Sequence, residues 1–247
     1  MKLRVFDVIF ESNFSPNPLQ VSTLFIVATP IGNLGDISPR AIEILNMADQ
    51  IGCEDTRTSG KLLGHYGVET PTFPFHQHNE HRKVKHLMNL LDGGLNIALI
   101  SDAGMPGISD PGFLAVRAAW QHGHTVTVIP GPDACTTALA ASGLPCDRYL
   151  FEGFLPPKKG RQTRLQEISR YPVTTVIYES PHRLLRLLEE LEEHAGEERW
   201  VAIARELTKK FEEVQRGRLG DLRRAWIERD VPKGEFVIIL AAQTYSD

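Results

Sequence analysis

Cysteine is scarce in this chain of 247 residues, and the little present excludes several architectures. Cys53, Cys135 and Cys146 are odd in number and show no CxxC spacing. That argues against a disulfide scaffold or a thiolate zinc site and for reduced thiols in a cytosol. Long apolar runs are missing, since no stretch approaches the roughly 18 apolar residues needed to span a bilayer. A strong charge of either sign is missing too. A formal net charge of −4 is too mild for a protein held on nucleic acid by charge alone, although a local basic patch would serve. Met1–Ser22 has neither a basic start with a long apolar run nor a small-residue cleavage site. It is expected to be a loose extension ahead of the first strand.

The common phosphate cradles are absent as well. No GxGxxG follows the first expected strand, where Thr29–Asn33 offers a single glycine. Neither a GxxxxGK[ST] loop nor a GxSxG elbow occurs, which removes P-loop and α/β-hydrolase chemistry.

What the chain does have is strand–helix alternation. TLFIVA (23–28) reads as a buried strand. Ser38-Pro39 then supplies a helix cap and a first-turn proline ahead of Ala41, Ile42, Leu45 and Ala48 on one face. A strand at 50–53 runs into Glu54-Asp55-Thr56-Arg57 and a short helix, and 70–75 reads as extended. A helix from Asn79 carries Val84, Leu87, Met88 and Leu91 and stops at Gly93-Gly94. Strands at 97–100 and 125–129 each lead through a small-residue turn into a helix, the second ending near Ser142. This predicts an α/β protein whose first domain, 23–142, is a mostly parallel sheet with helices on both faces.

Gly143 and Pro145 mark a boundary, and a second α/β domain over 143–247 is expected. Its strands fall at 149–154, 173–178, 200–204, 211–217 and 235–241, with hairpin-like pairing around 205–217, so a mixed sheet is predicted. A helix opening at Ser180-Pro181 turns Leu184, Leu185, Leu188 and Leu191 inward and is expected to leave Glu189, Glu190, Glu192 and Glu193 solvated.

The turn SDAGMPGISDPG (101–112) holds glycines at 104, 107 and 112, prolines at 106 and 111, and the carboxylates Asp102 and Asp110. A strand–turn–helix of this kind is where open α/β sheets place ligands. A rival site is His76-Gln77-His78-Asn79-Glu80-His81, which resembles the HxHxDH cluster of metallo-β-lactamase-type hydrolases. Glutamate stands there in place of aspartate, and the segment opens an amphipathic helix, so a polar helix start is the reading adopted. His122 and His124 have nothing in their sequence context that makes them ligands.

Glycine-rich turns at strand ends without a phosphate cradle suit a ligand of mixed polarity with few phosphates, such as S-adenosylmethionine. Seven motifs then fall in one order: TPIGNLGDI (29–37), EDTR (54–57), SDAGMPGISDPG, PGP (130–132), YESPHR (178–183), RELTK (205–209) and KGE (233–235). In this order the chain resembles the ribosomal RNA small subunit methyltransferase I family, within the tetrapyrrole methylase-like class III methyltransferases. The likeness covers about 23–242.

The resemblance implies a cytoplasmic homodimer of two-domain chains that binds S-adenosylmethionine in a cleft between the domains, without a metal. It implies methylation of the ribose 2′-hydroxyl of a cytidine in the decoding region of 16S rRNA. By the family pattern Pro30, Asp102, Ala103, Gly104 and Met105 would line the donor from the first domain. Asp133 and Ala134 would hold its other side, and Tyr178 and Gly234 would contribute from the second domain. Met105 and Gly107 stand where the family more often has threonine and leucine, and Asp133 where it often has serine or cysteine. Relatives of the same superfamily methylate tetrapyrrole carbons or a modified side chain, and a non-catalytic RNA- or cofactor-binding protein is the alternative of a different class.

Removing the 2′-hydroxyl proton calls for a base. Glu54 and Asp55, at a strand end, are the first candidates, with Arg57 placed on a phosphate. Glu179 and Glu206 are next, and spacing alone does not choose among them. For RNA, Lys158, Lys159, Arg161 and Arg164 are the densest basic cluster, followed by Lys209-Lys210 and Arg216/Arg218.

Overall fold

The computed structural model describes residues 22–76 and 80–247. Residues 1–21 of the expected extension lie outside the described residues. So do residues 77–79 of the histidine segment, and within that segment only His76 has a described side chain.

Residues 23–129 build one sheet of five strands: β1 (Thr23–Val27), β2 (Gln50–Cys53), β3 (Thr72–Pro74), β4 (Ile97–Leu99) and β5 (Thr125–Ile129). Their order is β3-β2-β4-β1-β5, and every pairing is parallel. The period of two in β1 explains the layering. Phe25 and Val27 face a cluster with Ala41 and Leu45 of α1 (Pro39–Met47) and Leu63 of α2 (Thr56–His65). Leu24 and Ile26 face the opposite cluster, with Leu87, Met88 and Leu91 of α3 (Glu80–Asp92) and Ala115 and Ala119 of α4 (Phe113–Gln121). Helices thus cover both faces, as the alternation predicts.

The helix starts follow the capping residues. Ser38 Oγ accepts from Ala41 N at 3.1 Å with Pro39 opening α1. Asp55 caps α2, and Asp133 caps α5 (Ala134–Ser142) by accepting from Thr136 N at 2.8 Å.

The second sheet holds β6 (Tyr149–Phe154), β7 (Thr174–Glu179), β8 (Trp200–Arg205), β9 (Glu213–Arg218) and β10 (Phe236–Leu240) in the order β6-β7-β10-β8-β9. Only β6 and β7 pair in parallel, so the sheet is mixed. One face packs against α6 (Arg161–Ser169), α7 (Leu184–Ala195) and α8 (Leu219–Ile227). The other face is covered by α5, whose Cys135, Ala138 and Leu139 join Val176, Ala202, Val237 and Ile239. Although α5 follows a strand of the first sheet, its apolar side belongs to the second.

Three expectations are corrected. Glu190 is 7% exposed rather than solvated, and its carboxylate pairs with Arg161 Nε at 2.7 Å and Arg186 Nε at 3.0 Å. Arg161, expected on an RNA-facing surface, is 1% exposed because those buried carboxylates hold it inside. The strand expected from Phe211 begins at Glu213, since the chain first makes a turn in which Glu212 N donates to Lys209 O at 3.1 Å. Among the described residues no helix is long and apolar enough to cross a membrane.

Candidate active site

The loops after β1, β4 and β5 leave the carboxyl edge of the first sheet together and meet the second sheet across a cleft of about 380 Å³. From the first sheet come Ile31, the run 103–105, Ile108, Ser109, Asp110, Asp133 and Ala134. From the second come Phe154, the run 178–181 and the start of β10, 235–237. The volume lies in the range of small-molecule sites, and the position is the one open parallel sheets use for ligands.

Backbone geometry sets the first wall. Thr29 N donates to Gly104 O at 2.9 Å and Gly104 N donates to Thr29 O at 3.0 Å, so the β1 and β4 loops are stitched into a two-residue bridge. Thr29 Oγ1 also donates to Ser101 O at 3.0 Å. Gly104 has φ +83, a conformation that side chains with a Cβ resist, and a Cβ there would face Ile31 and Pro132 in ordinary contact only. The requirement for glycine is therefore conformational. Ser109, also on the cleft, holds φ +63 without being glycine, a backbone cost of the kind that concentrates at functional sites.

Aromatic rings and ion pairs set the second wall. A register shift between Phe151 and Gly153 turns β6 so that Phe151 and Phe154 both meet Tyr178 edge-on, at centroid distances of 5.1 and 5.6 Å. Burial, followed by the Asp133 charge, raises the Tyr178 pKa, so its phenol stays protonated. Burial also pushes the Cys135 thiol up to about 12, leaving it an apolar packing group. Behind Tyr178, Glu179 is buried and accepts from Ser180 N at 2.8 Å. Its carboxylate pairs with Arg183 Nε at 2.8 Å and Arg161 Nη2 at 3.5 Å.

Of the residues expected on the methyl donor, Ala103, Gly104, Met105, Asp133, Ala134 and Tyr178 line this cleft together. Pro30 gives its place to its neighbour Ile31, and Asp102 turns aside to accept from Asp55 N at 3.2 Å. Gly234 stands just outside the lining. A Cβ on it would collide with the Glu206 side chain, so its part is to admit that side chain.

The catalytic candidates separate into three groups. Asp55 is engaged with Arg57 through Nε at 3.1 Å and Nη2 at 2.7 Å, and this guanidinium holds the Asp55 carboxyl well below the usual carboxylate range. Glu206 and Glu235 share the Lys209 ammonium at 2.9 Å each, and Glu206 Oε1 further accepts from Glu235 N at 3.0 Å. Glu54 stands with Asp102 and Asp110, each pushed up first by burial and then by neighbouring carboxylates. In this last group Asp110 lines the cleft, and its pKa rises to about 6 against Glu54 and Asp102 despite a stabilising hydrogen bond from Ser101.

Sequence reasoning left Asp110 out of the site, although it sits in the turn singled out above; the Glu54 charge beside it becomes visible only once β2 and β4 are neighbours. Ile108 and Ser109 of the same turn were missed as well, and so were Phe154, Ser180 and Pro181, which reach the cleft from β6 and β7 of the other sheet. Of the basic residues, Lys158 and Lys159 are exposed on the turn that follows Phe154, while Arg164 is held by Glu152 at 2.7 Å and Glu167 at 2.8 Å.

The comparisons with known proteins agree with this architecture. The family of Tetrapyrrole (Corrin/Porphyrin) Methylases matches residues 23–223. The chain is 48% identical to a ribosomal RNA small subunit methyltransferase I of Synechocystis sp., over 91% of this chain and 80% of that one. It is 50% identical to a protein of the same name from Vibrio cholerae, over 88% of this chain and 76% of that one. The fold is similar to that of a solved diphthine synthase, with a TM-score of 0.67 at 14% identity and 91% of both chains covered. It is likewise similar to a uroporphyrin-III-C-methyltransferase from Thermus thermophilus, with a TM-score of 0.61 at 20% identity and 88% and 94% covered. The resemblance carried by the seven motifs is thereby borne out, and with it a reaction that needs a methyl donor: the chain is an enzyme of the ribosomal RNA small subunit methyltransferase I family, within the tetrapyrrole methylases.

Proposed function

We propose that this enzyme moves a methyl group from S-adenosylmethionine to the ribose 2′-hydroxyl of a cytidine in the decoding region of 16S rRNA. The observation that carries the reading is the convergence of Gly104, Met105, Asp133, Ala134 and Tyr178 from two sheets onto one cleft.

The residues present fit such a donor. Phe154 and Tyr178 offer a surface for a flat base, the backbone at 103–105 offers hydrogen-bonding groups, and the Asp110 and Asp133 carboxylates suit a cationic ligand. When bound, the donor supplies a methyl group already activated on a sulfonium. What remains for the chain is to hold the ribose oxygen in line and to take up its proton.

Asp110 is the proton acceptor in this reading. It lines the cleft, its carboxylate is not held by an arginine or lysine ion pair among the described residues, and it is ionised above about pH 6. Glu54 and Asp102 beside it raise its basicity by charge repulsion. Asp55, Glu179 and Glu206, each already bound to a cation, serve instead to hold the cleft's edges in place. Lys158 and Lys159, exposed on the turn that follows the cleft residue Phe154, would meet RNA phosphates, and Lys209 would orient Glu206 and Glu235. A homodimer acting in the cytoplasm belongs to the same proposal.

Transfer of labelled methyl groups to small ribosomal subunits, to naked 16S rRNA and to a porphyrinogen, run in parallel, tests it. Label is expected in the RNA as an alkali-resistant 2′-O-methyl cytidine. Label in the porphyrinogen alone would overturn the reading.

A further inference from the structure

At the edge of the first sheet remote from the cleft, two histidines and an aspartate meet. Asp92 is the last residue of α3, His122 follows α4, and His124 directly precedes β5. Their ligand atoms all lie within 4.8 Å of one another. Asp92 Oδ1 is 3.0 Å from His124 Nε2, and Asp92 Oδ2 is 3.5 Å from His122 Nδ1. Among the described residues this is the group of histidine, cysteine and acidic side chains that converges in this way.

The turn that carries the two imidazoles is built rather than loose. His122 N donates to Ala118 O at 2.9 Å, Gly123 N to Trp120 O at 3.2 Å and His124 N to Ala119 O at 3.0 Å. The rings stand nearly parallel, 17° apart, with centroids separated by 6.2 Å. His124 is only 10% exposed and aims its Nε2 at Asp92, whereas His122 and Asp92 remain open to solvent at 46% and 50%.

These separations suit a small tetrahedral ion. Bonds of about 2.0–2.2 Å to nitrogen and oxygen in a tetrahedron place neighbouring ligand atoms about 3.3–3.5 Å apart. The Asp92–His122 separation of 3.5 Å meets that value, while Asp92–His124 at 3.0 Å is a hydrogen bond that a metal would replace by a slight opening. Two imidazoles and one carboxylate favour zinc over calcium or magnesium, which take oxygen, and over copper(I), which takes sulfur.

We propose that Asp92, His122 and His124 form a zinc site with water in the fourth position. It clips the end of α3 to the turn between α4 and β5. Lying across the sheet from the cleft, the site is structural and separate from methyl transfer.

Calorimetric titration of the tag-free chain with zinc chloride, paired with cobalt(II) spectroscopy, tests this. One equivalent of zinc is expected to bind, and cobalt to give the visible bands of a tetrahedral site. In His122→Ala/His124→Ala the affinity should fall about 100-fold and the bands should vanish, while Asp92→Asn should weaken binding about tenfold. Unchanged binding in the double histidine variant overturns the proposal, as does binding lost instead in His78→Ala/His81→Ala. Absence of zinc binding by the unaltered chain overturns it as well.

Discussion

The two walls of the cleft are made by different means. The first-sheet wall is a backbone construction: the Thr29–Gly104 bridge, the positive φ values at Gly104 and Ser109, and the Asp133 cap. The second-sheet wall is a side-chain construction: Arg161 and Arg183 around Glu179, Lys209 between Glu206 and Glu235, and two phenylalanines against Tyr178. Backbone walls depend on the conformation allowed at single positions such as Gly104, even where, as in the Thr29–Gly104 bridge, the paired segments lie far apart in the chain. Side-chain walls depend on partners brought from distant strands and helices, here up to 29 residues away in the case of Arg161 and Glu190. The first kind tolerates little change at a glycine, and the second kind fails when one partner of a buried pair is removed.

Substitutions at six residues test the two walls and the surface beside them. The largest effect is expected at Asp110, on the first wall. Asp110→Asn should lower turnover by about 10²–10⁴-fold, and the unaltered enzyme's kcat/KM should rise through about pH 6 as the carboxylate ionises. A pH–rate profile of Asp110→Asn that keeps wild-type height and shape would remove it from the chemistry. The same group leaves a mark on stability. The folded state holds its proton up to about pH 6, whereas the unfolded chain releases it near the ordinary carboxylate value of about 4. Stability therefore falls as pH rises through that window, and Asn should abolish this slope in denaturant titrations.

On the second wall, Arg161→Ala leaves Glu179 and Glu190 buried without their shared cation. A loss of about 3–5 kcal/mol is expected in denaturant unfolding. Weakened RNA binding with unaltered stability would return Arg161 to the surface role it was first assigned. Gly104→Val should reduce donor affinity about 100-fold while circular dichroism stays native, since φ +83 is costly for a β-branched residue. Donor binding that survives in the folded variant would mean the first wall lies elsewhere.

Two smaller effects sharpen the contrast. Lys158→Ala/Lys159→Ala should weaken RNA binding and lessen the slope of log affinity against log salt by about 2, with donor affinity unaltered. Asp133→Ala should cost about 1 kcal/mol through loss of the α5 cap, and Asp133→Ser should restore most of it. Equal stability of the Ala and Ser variants would show that the carboxylate serves the ligand alone.

How legible each wall was follows from the same distinction. The small-residue turn at 101–112, the Ser38-Pro39 cap and the period of two in the strands are local, so elements and the parallel first sheet were readable. Six of the expected donor residues, from Ala103 to Tyr178, indeed share the cleft. The glutamates of α7 were read as a solvated face because spacing alone cannot show that Arg161 approaches Glu190 from α6. Arg161 was misplaced by the same blindness: a basic run looks alike whether its members face water or a buried carboxylate. Asp110 escaped notice since its burial in the cleft, and the Glu54 charge that reaches it from the end of β2, depend on the tertiary fold.

The alternation of apolar residues, the turn chemistry and the order of seven motifs suffice for an α/β fold with two sheets and for the methyltransferase family. These are short-range properties, written in backbone preferences and in runs of neighbouring residues. Which charges become buried pairs, which carboxylate enters the cleft without an arginine or lysine partner among the described residues, and which histidines meet Asp92 depend on contacts between segments far apart in the chain. Folding brings the charges of the buried pairs and of the cleft into a poorly solvated space, where the cost of an unpaired charge selects its partner and shifts its pKa.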